Sequence, residues 1–442
     1  MPAPRPLSAL PLDGVPDAEL LFVRLFAQED AAFWLDAGPE ATAGWSILGA
    51  GAVQTDPDAV RAVALTTPNP HPSELPFVGG WIGWLDYESG AAALGAPTTG
   101  VAPGGAWIAV TRAIAVDHAT GRAFALADVA ELTAWHDEAS AALRDGPVPP
   151  PSRIDVVSEA SARHGVAEYQ GLIQECRAAI ERGDAYQLCL TTRFSADRPA
   201  DALEVYRRLR AATPAHHGGF LRIGEHQLLS ASPERFLSVS DGRASTSPIK
   251  GTRPRSADAG DDARLAEELR TDVKERAENV MIVDLMRNDL SRVGVPGTVA
   301  VERLWEVESY PAVHQLVSTV SVRLRPGVSF GDLADAAFPA GSMTGAPKLS
   351  ATTILHGLER GPRGVYSGCF GLVGIDGRVD LAMIIRSIVV TPDTAYVGAG
   401  GGITWLSQPE AETAEVATKA RAPLAALGAR VPAEWAAATD TR

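Results

Sequence analysis

Two strands and a tight turn are predicted by Phe370-Gly-Leu-Val-Gly-Ile-Asp-Gly-Arg-Val-Asp-Leu-Ala-Met-Ile-Ile-Arg-Ser-Ile-Val-Val390, the stretch that decides the fold class. Its apolar runs belong to predicted strands over 364–375 and 378–390, and Asp376-Gly377 between them is a strong signal for a two-residue hairpin turn. Antiparallel strands joined in this way need no helical crossover. The hairpin therefore favours an α+β fold over a doubly wound parallel sheet.

Helices and strands also share the preceding part of the chain, without a regular strand–helix–strand repeat. The apolar side chains of residues 172–180 fall on one helical stripe, and Gly183 is expected to end that helix. Residues 186–192 alternate as a strand, whereas 262–291 predict one long helix or two adjoining ones. This mixture agrees with the α+β class.

A change in composition divides the chain. Residues 146–153 form a proline-rich connector between an N-terminal portion, 1–145, and a larger C-terminal portion, 154–428. A short polar tail, 429–442, follows. We expect the C-terminal portion to be the catalytic domain, because the motifs described next lie in it.

Composition excludes several classes of protein. The 442 residues hold 39 Lys and Arg against 54 Asp and Glu, a formal charge of −15, which argues against nucleic-acid or membrane partners. The three cysteines, Cys176, Cys189 and Cys369, lie far apart and form no metal-binding motif. With no secretory leader or long apolar span recognisable, we expect a cytoplasmic protein.

Two pairs of glutamates are candidates for a metal site. Glu275 and Glu278, like Glu412 and Glu415, are three residues apart on a predicted helix, so each pair shares one face. Two such faces brought together would suit Mg²⁺, which prefers oxygen ligands. The alternative is two solvated acidic faces, although the apolar run after Glu278 suggests burial there.

Lys250 is a candidate nucleophile. It stands in Pro248-Ile-Lys-Gly-Thr252, where a rigid turn and partial burial would free its amine as a nucleophile or base. The alternative is a surface lysine in a basic loop. Residues 339–348 superficially resemble a phosphate-binding loop, but Pro347 breaks the required spacing, so nucleotide binding is rejected.

Other polar groups suggest anion binding without proving it. The amides of residues 398–402, which are rich in glycine, could form an anion-binding nest, although such turns are more often structural. Arg386 lies in the middle of an apolar predicted strand and should have a carboxylate partner from a side chain or a ligand. His314 and Glu234 are ambiguous by themselves.

Taken together, these segments resemble the chorismate-utilising enzymes, the family that includes the large subunits of anthranilate synthase and aminodeoxychorismate synthase. The resemblance runs over nearly the whole chain, and its motifs occur in the expected order at residues 79–88, 232–236, 248–255, 274–289 and 339–348. It implies the fold of anthranilate synthase component I, with antiparallel sheets packed face to face and helices outside.

Within this family, Lys250 indicates the aminodeoxychorismate synthase branch. Large subunits of that branch characteristically have the sequence Pro-Ile-Lys-Gly-Thr, whereas anthranilate synthases have alanine at the position of the lysine. The resemblance thus implies a role in para-aminobenzoate and folate biosynthesis. Gln187 agrees, since family members that use water carry a lysine there, whereas a glutamine suits an ammonia-using member. The segment 33–37 departs from the pattern that anthranilate synthases use for tryptophan feedback, which argues against tryptophan binding.

The resemblance also implies roles for the site residues. Mg²⁺ would be held by Glu278 and Glu415, with Glu275 and Glu412 contacting it directly or through water. The other implied roles are a general acid (Glu234), a covalent nucleophile (Lys250), an assisting histidine (His314) and substrate-binding groups at Gln187, Thr344, Tyr366, Arg386, Gly400, Gly401 and Gly402.

Chorismate is the implied substrate, and the ammonia is expected from a separate glutamine amidotransferase subunit, because no glutaminase segment with its nucleophilic cysteine is recognised in the sequence. Two alternatives remain at this point. One is anthranilate synthase component I, and the other is an inactive chorismate-binding regulatory subunit, against which the full set of carboxylates argues.

Overall fold

The computed structural model describes residues 4–14, 16–66, 74–100, 105–144, 146–156, 158–310 and 313–439. Residue 145, the predicted end of the N-terminal portion, lies outside them. The helices in the described residues are α1 (Ala18–Leu25), α2 (Pro57–Arg61), α3 (Tyr87–Ala93), α4 (Leu132–Arg144), α5 (Val166–Glu181), α6 (Ala202–Ala212), α7 (Ala259–Thr271), α8 (Val273–Ser291), α9 (Phe330–Ala337), α10 (Lys348–Glu359), α11 (Pro409–Ala426) and α12 (Ala433–Ala437), with a 3₁₀ turn at Gly341–Met343.

The strands in the described residues alternate with these helices. They are β1 (Ser8–Leu12), β2 (Ala31–Asp36), β3 (Trp45–Gln54), β4 (Gly80–Leu85), β5 (Ala106–Asp117), β6 (Arg122–Ala127), β7 (Ser158–Glu159), β8 (Ser161–Ala162), β9 (Gln187–Asp197), β10 (His217–Ile223), β11 (His226–Ser232), β12 (Arg235–Ser240), β13 (Arg243–Thr246), β14 (Ile249–Pro254), β15 (Ala300–Ser309), β16 (Val313–Arg323), β17 (Gly345–Ala346), β18 (Cys369–Gly374), β19 (Val379–Met383), β20 (Ser387–Val390), β21 (Thr394–Ile403) and β22 (Ala429–Arg430).

Twenty of the described strands form two antiparallel sheets that share β5, and β7 and β22 pair in parallel as a separate two-stranded sheet. The first has the order β1-β6-β5-β3-β2-β10-β11-β20-β21-β9, with β8 and β17 also paired to β9. The second runs β5-β4-β18-β19-β12-β13-β16, and β14 and β15 also pair with β16. Strand β5 belongs to both sheets, because it pairs with β4 through 106–109 and with β6 through 112–117.

Alternation along the first sheet separates two hydrophobic cores. In β2, Phe33 lies in the core between the two sheets, whereas its neighbour Trp34 lies in the core beneath the helices. Leu228 and Leu229 of β11 alternate in the same way. Because successive side chains of a strand point to opposite faces, this sheet is covered on both sides. The α+β class and the face-to-face sheets with helices outside are thus confirmed.

The predicted hairpin at Asp376-Gly377 is present between β18 and β19. Its loop is longer than two residues: the Gly377 N–H donates to Gly374 O, and Gly377 has a φ of 82°, which glycine adopts without steric cost. Gly374 and Arg378 close the loop with a backbone hydrogen bond of 2.8 Å. The turn signal therefore located the hairpin correctly but not its length.

The second predicted strand, 378–390, is wrong as a single element. The chain leaves the second sheet at the end of β19 and enters the first at β20, and Arg386 stands in the break with a φ of 52°. A left-handed residue cannot continue the extended backbone of a strand. Arg386 therefore lies where the chain changes sheets rather than in the middle of a strand.

The helix predictions are confirmed at two places. Helix α5 ends before Gly183, whose φ is 83°. Residues 262–291 form the two adjoining helices α7 and α8, divided at Asp272, which caps α8 by accepting the N–H groups of Lys274 and Glu275.

Strands from the predicted N-terminal and C-terminal portions pair directly with one another. Strand β2 pairs with β10, and β4 pairs with β18, so the two portions share both sheets. Residues 429–439 include β22 and α12, and Trp435 on α12 is fully buried. Among the described helices, none is long and apolar enough to cross a membrane.

Candidate active site

Glu234 lies in the connection between β11 and β12 and is almost fully buried. Its carbonyl oxygen accepts the Met383 N–H at 3.0 Å, which fixes the backbone against the end of β19. Burial raises the pKa of this carboxyl to about 7, although the charge of Lys250 and a hydrogen bond from Ser342 oppose the rise. A carboxyl with such a pKa is partly protonated near neutral pH and can donate a proton there.

Lys250 lies at a bulge in β14. Between Ile249 and Thr252, β14 has one residue more than its partner β16, and a bulge of this kind redirects a side chain. Gly251 adopts a φ of 77°, and a Cβ there would lie 2.7 Å from Leu269 Cδ1. The glycine after the lysine is therefore required both by the turn and by the packing of β14 against α7.

Gln187 and Lys250 converge on Gly402 of β21. A Cβ built on Gly402 would lie 2.2 Å from Gln187 Nε2 and 3.7 Å from Lys250 Nζ. Gln187 is buried, and its Oε1 has no hydrogen-bond partner in the described part of the chain. A buried amide oxygen without a partner is costly, so this oxygen is suited to a ligand that donates a hydrogen bond.

Arg386 and Tyr366 lie near one another at the change of sheets. Burial lowers the pKa of Arg386, while Glu415 and Tyr366 act to raise it. The guanidinium forms no hydrogen bond or ion pair within the described residues, so the carboxylate partner expected from the sequence is not a side chain described in the structure. Tyr366 is buried against Gly398, where a Cβ would meet the phenol ring at 2.1 Å.

The glycines of 398–402 do not form a nest. They continue β21 to Ile403 as extended strand, and none of them has the positive φ on which a nest depends. Their lack of side chains instead admits Tyr366 beside Gly398 and Gln187 beside Gly402. The nest interpretation was wrong because backbone geometry cannot be read from glycine content.

The four predicted metal ligands face one another on α8 and α11. Burial is the main cause that raises the pKa of Glu275, Glu278 and Glu412, and the neighbouring carboxylates act in the same direction. Partial burial acts to raise the pKa of Glu415, but Lys419, whose amine is 2.7 Å away, together with Lys274 and Lys250 outweighs burial and lowers this pKa. The side chains of Glu278 and Glu412 are mostly buried, so the solvated-face alternative fails for them.

This donor set fits Mg²⁺ in its chemistry, since all four groups are carboxylates and several repel one another. Among the described residues, no three acidic, histidine or cysteine side chains lie close enough together to hold a metal ion by themselves. Mg²⁺ commonly takes only one or two protein carboxylates and fills its other positions with water and substrate oxygens. The four carboxylates are therefore compatible with Mg²⁺ in their chemistry, although no three of them lie close enough together to hold an ion without other ligands.

His314 is not brought together with the other candidates. Its ring nitrogens lie 3.0 Å from Asp262 Oδ1 and 2.8 Å from Ser309 Oγ, in a network with α7 and β15. Thr344 is fully buried, and its hydroxyl donates to Ala340 O at 3.0 Å. The assisting role of His314 stays a prediction, with no contact to Glu234 or Lys250 in the structure.

Sequence reasoning missed three residues at the site. Lys419 Nζ donates to Gly400 O at 2.8 Å as well as to Glu415, and its position one helical turn after Glu415 was the available signal. Arg363 is fully buried and donates to both carboxylate oxygens of Glu359. Ser342 donates to Glu234 Oε1 at 3.2 Å. Arg363 follows Glu359 by four residues, which was again the available signal, whereas no sequence spacing links Ser342 to Glu234.

A cavity of about 810 Å³ lies beside the site but is not lined by any of its predicted residues. Leu35, Asp36 and Ala37, from the segment that departs from the tryptophan pattern, contribute to its wall. Asp36 is already engaged, since it accepts hydrogen bonds from Tyr206 and Arg210. Glu234 and Lys250, the candidate acid and nucleophile, are therefore not part of the lining of this cavity.

Comparison with known proteins agrees with this fold. Anthranilate synthase component I from Streptococcus pneumoniae superposes with a TM-score of 0.74 at 29% identity, over 93% of this chain and 98% of that one. Aminodeoxychorismate synthase from Streptomyces pristinaespiralis is 39% identical over 93% of this chain and 64% of its own length. Aminodeoxychorismate synthase component 1 from Salmonella typhimurium is 38% identical over 80% and 77%.

The fold is therefore that of anthranilate synthase component I, as the motifs implied. The sequence model of the family of chorismate binding enzymes matches residues 25–425 of this chain. The chain belongs to this family of chorismate binding enzymes, although it spans slightly less than two thirds of the Streptomyces pristinaespiralis relative.

Proposed function

We propose that this chain is component I of an aminodeoxychorismate synthase, which converts chorismate and ammonia to 4-amino-4-deoxychorismate and water in para-aminobenzoate biosynthesis. Two similar proteins carry the name aminodeoxychorismate synthase. The observation that carries the proposal is Lys250, held at a bulge between the buried acid Glu234 and the amide of Gln187.

In the first half-reaction, Glu234 gives its proton to the 4-hydroxyl of chorismate, which leaves as water. The Lys250 amine attacks C2, the ring double bond shifts, and the C4–O bond breaks as the C2–N bond forms. Burial keeps part of the Glu234 population protonated near neutral pH and so supplies the acid that this step requires. Covalent attachment divides one difficult substitution into two allylic ones.

In the second half-reaction, ammonia adds at C4 and the reverse allylic shift expels the Lys250 amine from C2. The enolpyruvyl group is retained, so the product is not aromatic. The unpartnered Oε1 of Gln187 is suited to accept a hydrogen bond from the incoming ammonia. Glu234, now ionised, regains a proton as the ammonium nitrogen loses one.

The two carboxylates of chorismate would be bound by different groups. Arg386 would supply a partly buried guanidinium for the enolpyruvyl carboxylate, with Tyr366 beside it. The strand amides of Gly400 and Gly402 would face the ring carboxylate; the Gly401 amide points toward β9 and the Thr344 hydroxyl donates to Ala340 O, so neither would donate to it.

Glu278 and Glu415 would hold Mg²⁺, with Glu275 and Glu412 bound directly or through water. When bound, the ion would neutralise the ring carboxylate against the acidic surroundings of α8 and α11. Lys419 already neutralises part of this charge through Glu415.

A glutamine amidotransferase subunit is the proposed source of ammonia. The similar protein from Salmonella typhimurium is named component 1, which implies a second component. Free ammonium should replace that partner in an assay of this chain alone.

Product analysis tests the proposal. With chorismate, ammonium and Mg²⁺, we expect a product that is not itself fluorescent anthranilate and that yields para-aminobenzoate only after a lyase is added. Direct formation of anthranilate would instead make the chain an anthranilate synthase component I. No turnover at high ammonium would favour the inactive regulatory subunit.

The covalent role of Lys250 is tested by Lys250→Ala and Lys250→Arg. Arginine keeps the positive charge beside Glu234 but is a poor nucleophile, so both variants should lose at least about 100-fold in kcat. If Lys250→Arg keeps wild-type turnover, the lysine acts through its charge and forms no covalent adduct.

A further inference from the structure

The segment 339–348, rejected above as a phosphate-binding loop, is fixed at its end by a buried ion pair. Lys348 Nζ lies 2.6 Å from Asp289 Oδ2 on α8 and donates to Ala337 O at 2.8 Å. Both side chains are almost fully buried. Breaking a pair of this kind leaves an uncompensated buried charge, so the lysine holds the segment firmly against α8 and α9.

A second buried cation holds the middle of the segment. Arg363 Nη1 donates to Met343 O at 2.6 Å, and Glu359 orients the same guanidinium with both carboxylate oxygens. Gly341 packs so closely that a Cβ there would lie 2.5 Å from Leu285 Cδ2 of α8. The residues on both sides of Ser342 are therefore immobilised by packing and charge.

Ser342 is the residue that this anchored segment presents to the acid. Its Oγ lies 3.2 Å from Glu234 Oε1, on the side chain that we assign to proton donation. A hydroxyl that donates to one carboxyl oxygen makes that oxygen the acceptor, so the proton of the neutral acid resides on the other oxygen.

We propose that Ser342 is a positioning residue, which directs the proton of Glu234 to Oε2 and holds Oε2–H toward the departing hydroxyl of the substrate. This inference rests on the proposed function, because it assigns a task to the general acid of that reaction. It also gives the segment 339–348 a purpose, which is to carry Ser342 at a fixed distance from Glu234.

Other groups that act on Glu234 are distributed over several elements. Burial is the largest influence and raises its pKa, whereas Lys250 on β14, Ser342, the Ile249 backbone N–H and Lys419 on α11 lower it, in that order. Removing the serine hydroxyl leaves both lysines in place. The effect of the Ser342 hydroxyl on the titration of Glu234 can therefore be measured separately from the effects of Lys250 and Lys419.

The test compares Ser342→Ala and Ser342→Thr with the control Ser350→Ala, whose hydroxyl donates to Asp184 O outside the site. Carbon-13 NMR of glutamate-labelled protein follows the carboxyl of Glu234, assigned by the signal lost in Glu234→Gln. We expect Ser342→Ala to raise this titration midpoint by about one pH unit, because a hydrogen bond to the charged form is lost. Threonine should restore the midpoint, and Ser350→Ala should leave it unchanged.

Activity supplies the second readout. Below the titration midpoint, where Glu234 is protonated in every variant, Ser342→Ala should still lose about tenfold in kcat because the proton is no longer directed. An unchanged midpoint in Ser342→Ala, or a raised midpoint with full kcat at low pH, would overturn the positioning role. The NMR titration needs no turnover, so it decides about Ser342 even if the wild-type product refutes the proposed function.

Discussion

A single methyl group at Gly402 should separate activity from stability. In Gly402→Ala, the new Cβ would lie 2.2 Å from Gln187 Nε2, so the amide must move by roughly 1 Å to reach ordinary contact. The obstructing atom is the end of a flexible side chain rather than backbone. Gly402 has no positive φ, so alanine fits the strand conformation itself.

The expected cost to folding is small. Alanine gains about 0.5–1 kcal/mol from the reduced freedom of the unfolded chain, which offsets part of the strain of moving Gln187. The free energy of unfolding should therefore change by no more than about 1 kcal/mol. Displacement of a positioning group by about 1 Å, however, costs about 100-fold in rate, equivalent to about 2.7 kcal/mol in kcat/KM.

The assay is a double-mutant cycle of Gly402→Ala and Gln187→Ala, measured by kcat/KM with chorismate and ammonium and by urea unfolding. Since truncation of Gln187 removes the atom in conflict, the double variant should equal Gln187→Ala alone. Gly357→Ala, on α10 with nothing within 4 Å of its Cβ, is the control and should be fully active. If the loss of kcat/KM in the double variant equals the product of the two single losses, the reasoning is refuted. Gly402→Ala would then act through Lys250 or the backbone rather than through Gln187.

Three other predictions concern charge. Because Glu234 must be protonated to act and its pKa is raised to about 7, the ratio of kcat/KM in the wild type to kcat/KM in Glu234→Gln should be constant below this pH and fall tenfold per unit above it; a ratio that does not change with pH would contradict this. Arg386→Gln should raise KM for chorismate at least about tenfold while circular dichroism stays unchanged, since a partly buried charge without a protein partner is lost. Lys348→Met should lower the free energy of unfolding by about 3–5 kcal/mol, and adding Asp289→Leu should recover most of it; additive losses in denaturant unfolding would exclude a buried pair.

Local signals predicted the elements of the fold better than their pairing. The Asp376-Gly377 turn, the end of α5 at Gly183 and the division of 262–291 depend on neighbours in the sequence, and each appears in the structure. The break at Arg386 does not depend on neighbours in the sequence, because the apolar residues on either side of it could form one strand or two. What divides them is the presence of different partners, β12 and β18 on one side and β11 and β21 on the other.

The site shows the same limit. Motifs brought Glu234 and Lys250 to attention, but the distance from Ser342 to Glu234 depends on a contact across 108 residues. His314 illustrates the opposite case, since a residue noted for its type is placed by the fold beside Asp262 and Ser309. Chemical type can be read from sequence, whereas the direction of a side chain is decided by the strand on which it lies.

The pairing of β4 with β18 has a consequence for biosynthesis of the protein. Trp84 can pair with Phe370 only after Phe370 has left the ribosome, which happens roughly 290 residues later, or tens of seconds at usual elongation rates. During that time the edge of β4 is an unpaired, apolar template for other chains. We therefore expect slow maturation and dependence on chaperones, since contacts so distant in sequence form late. The order of synthesis, as much as final stability, then limits how much folded protein a cell can accumulate.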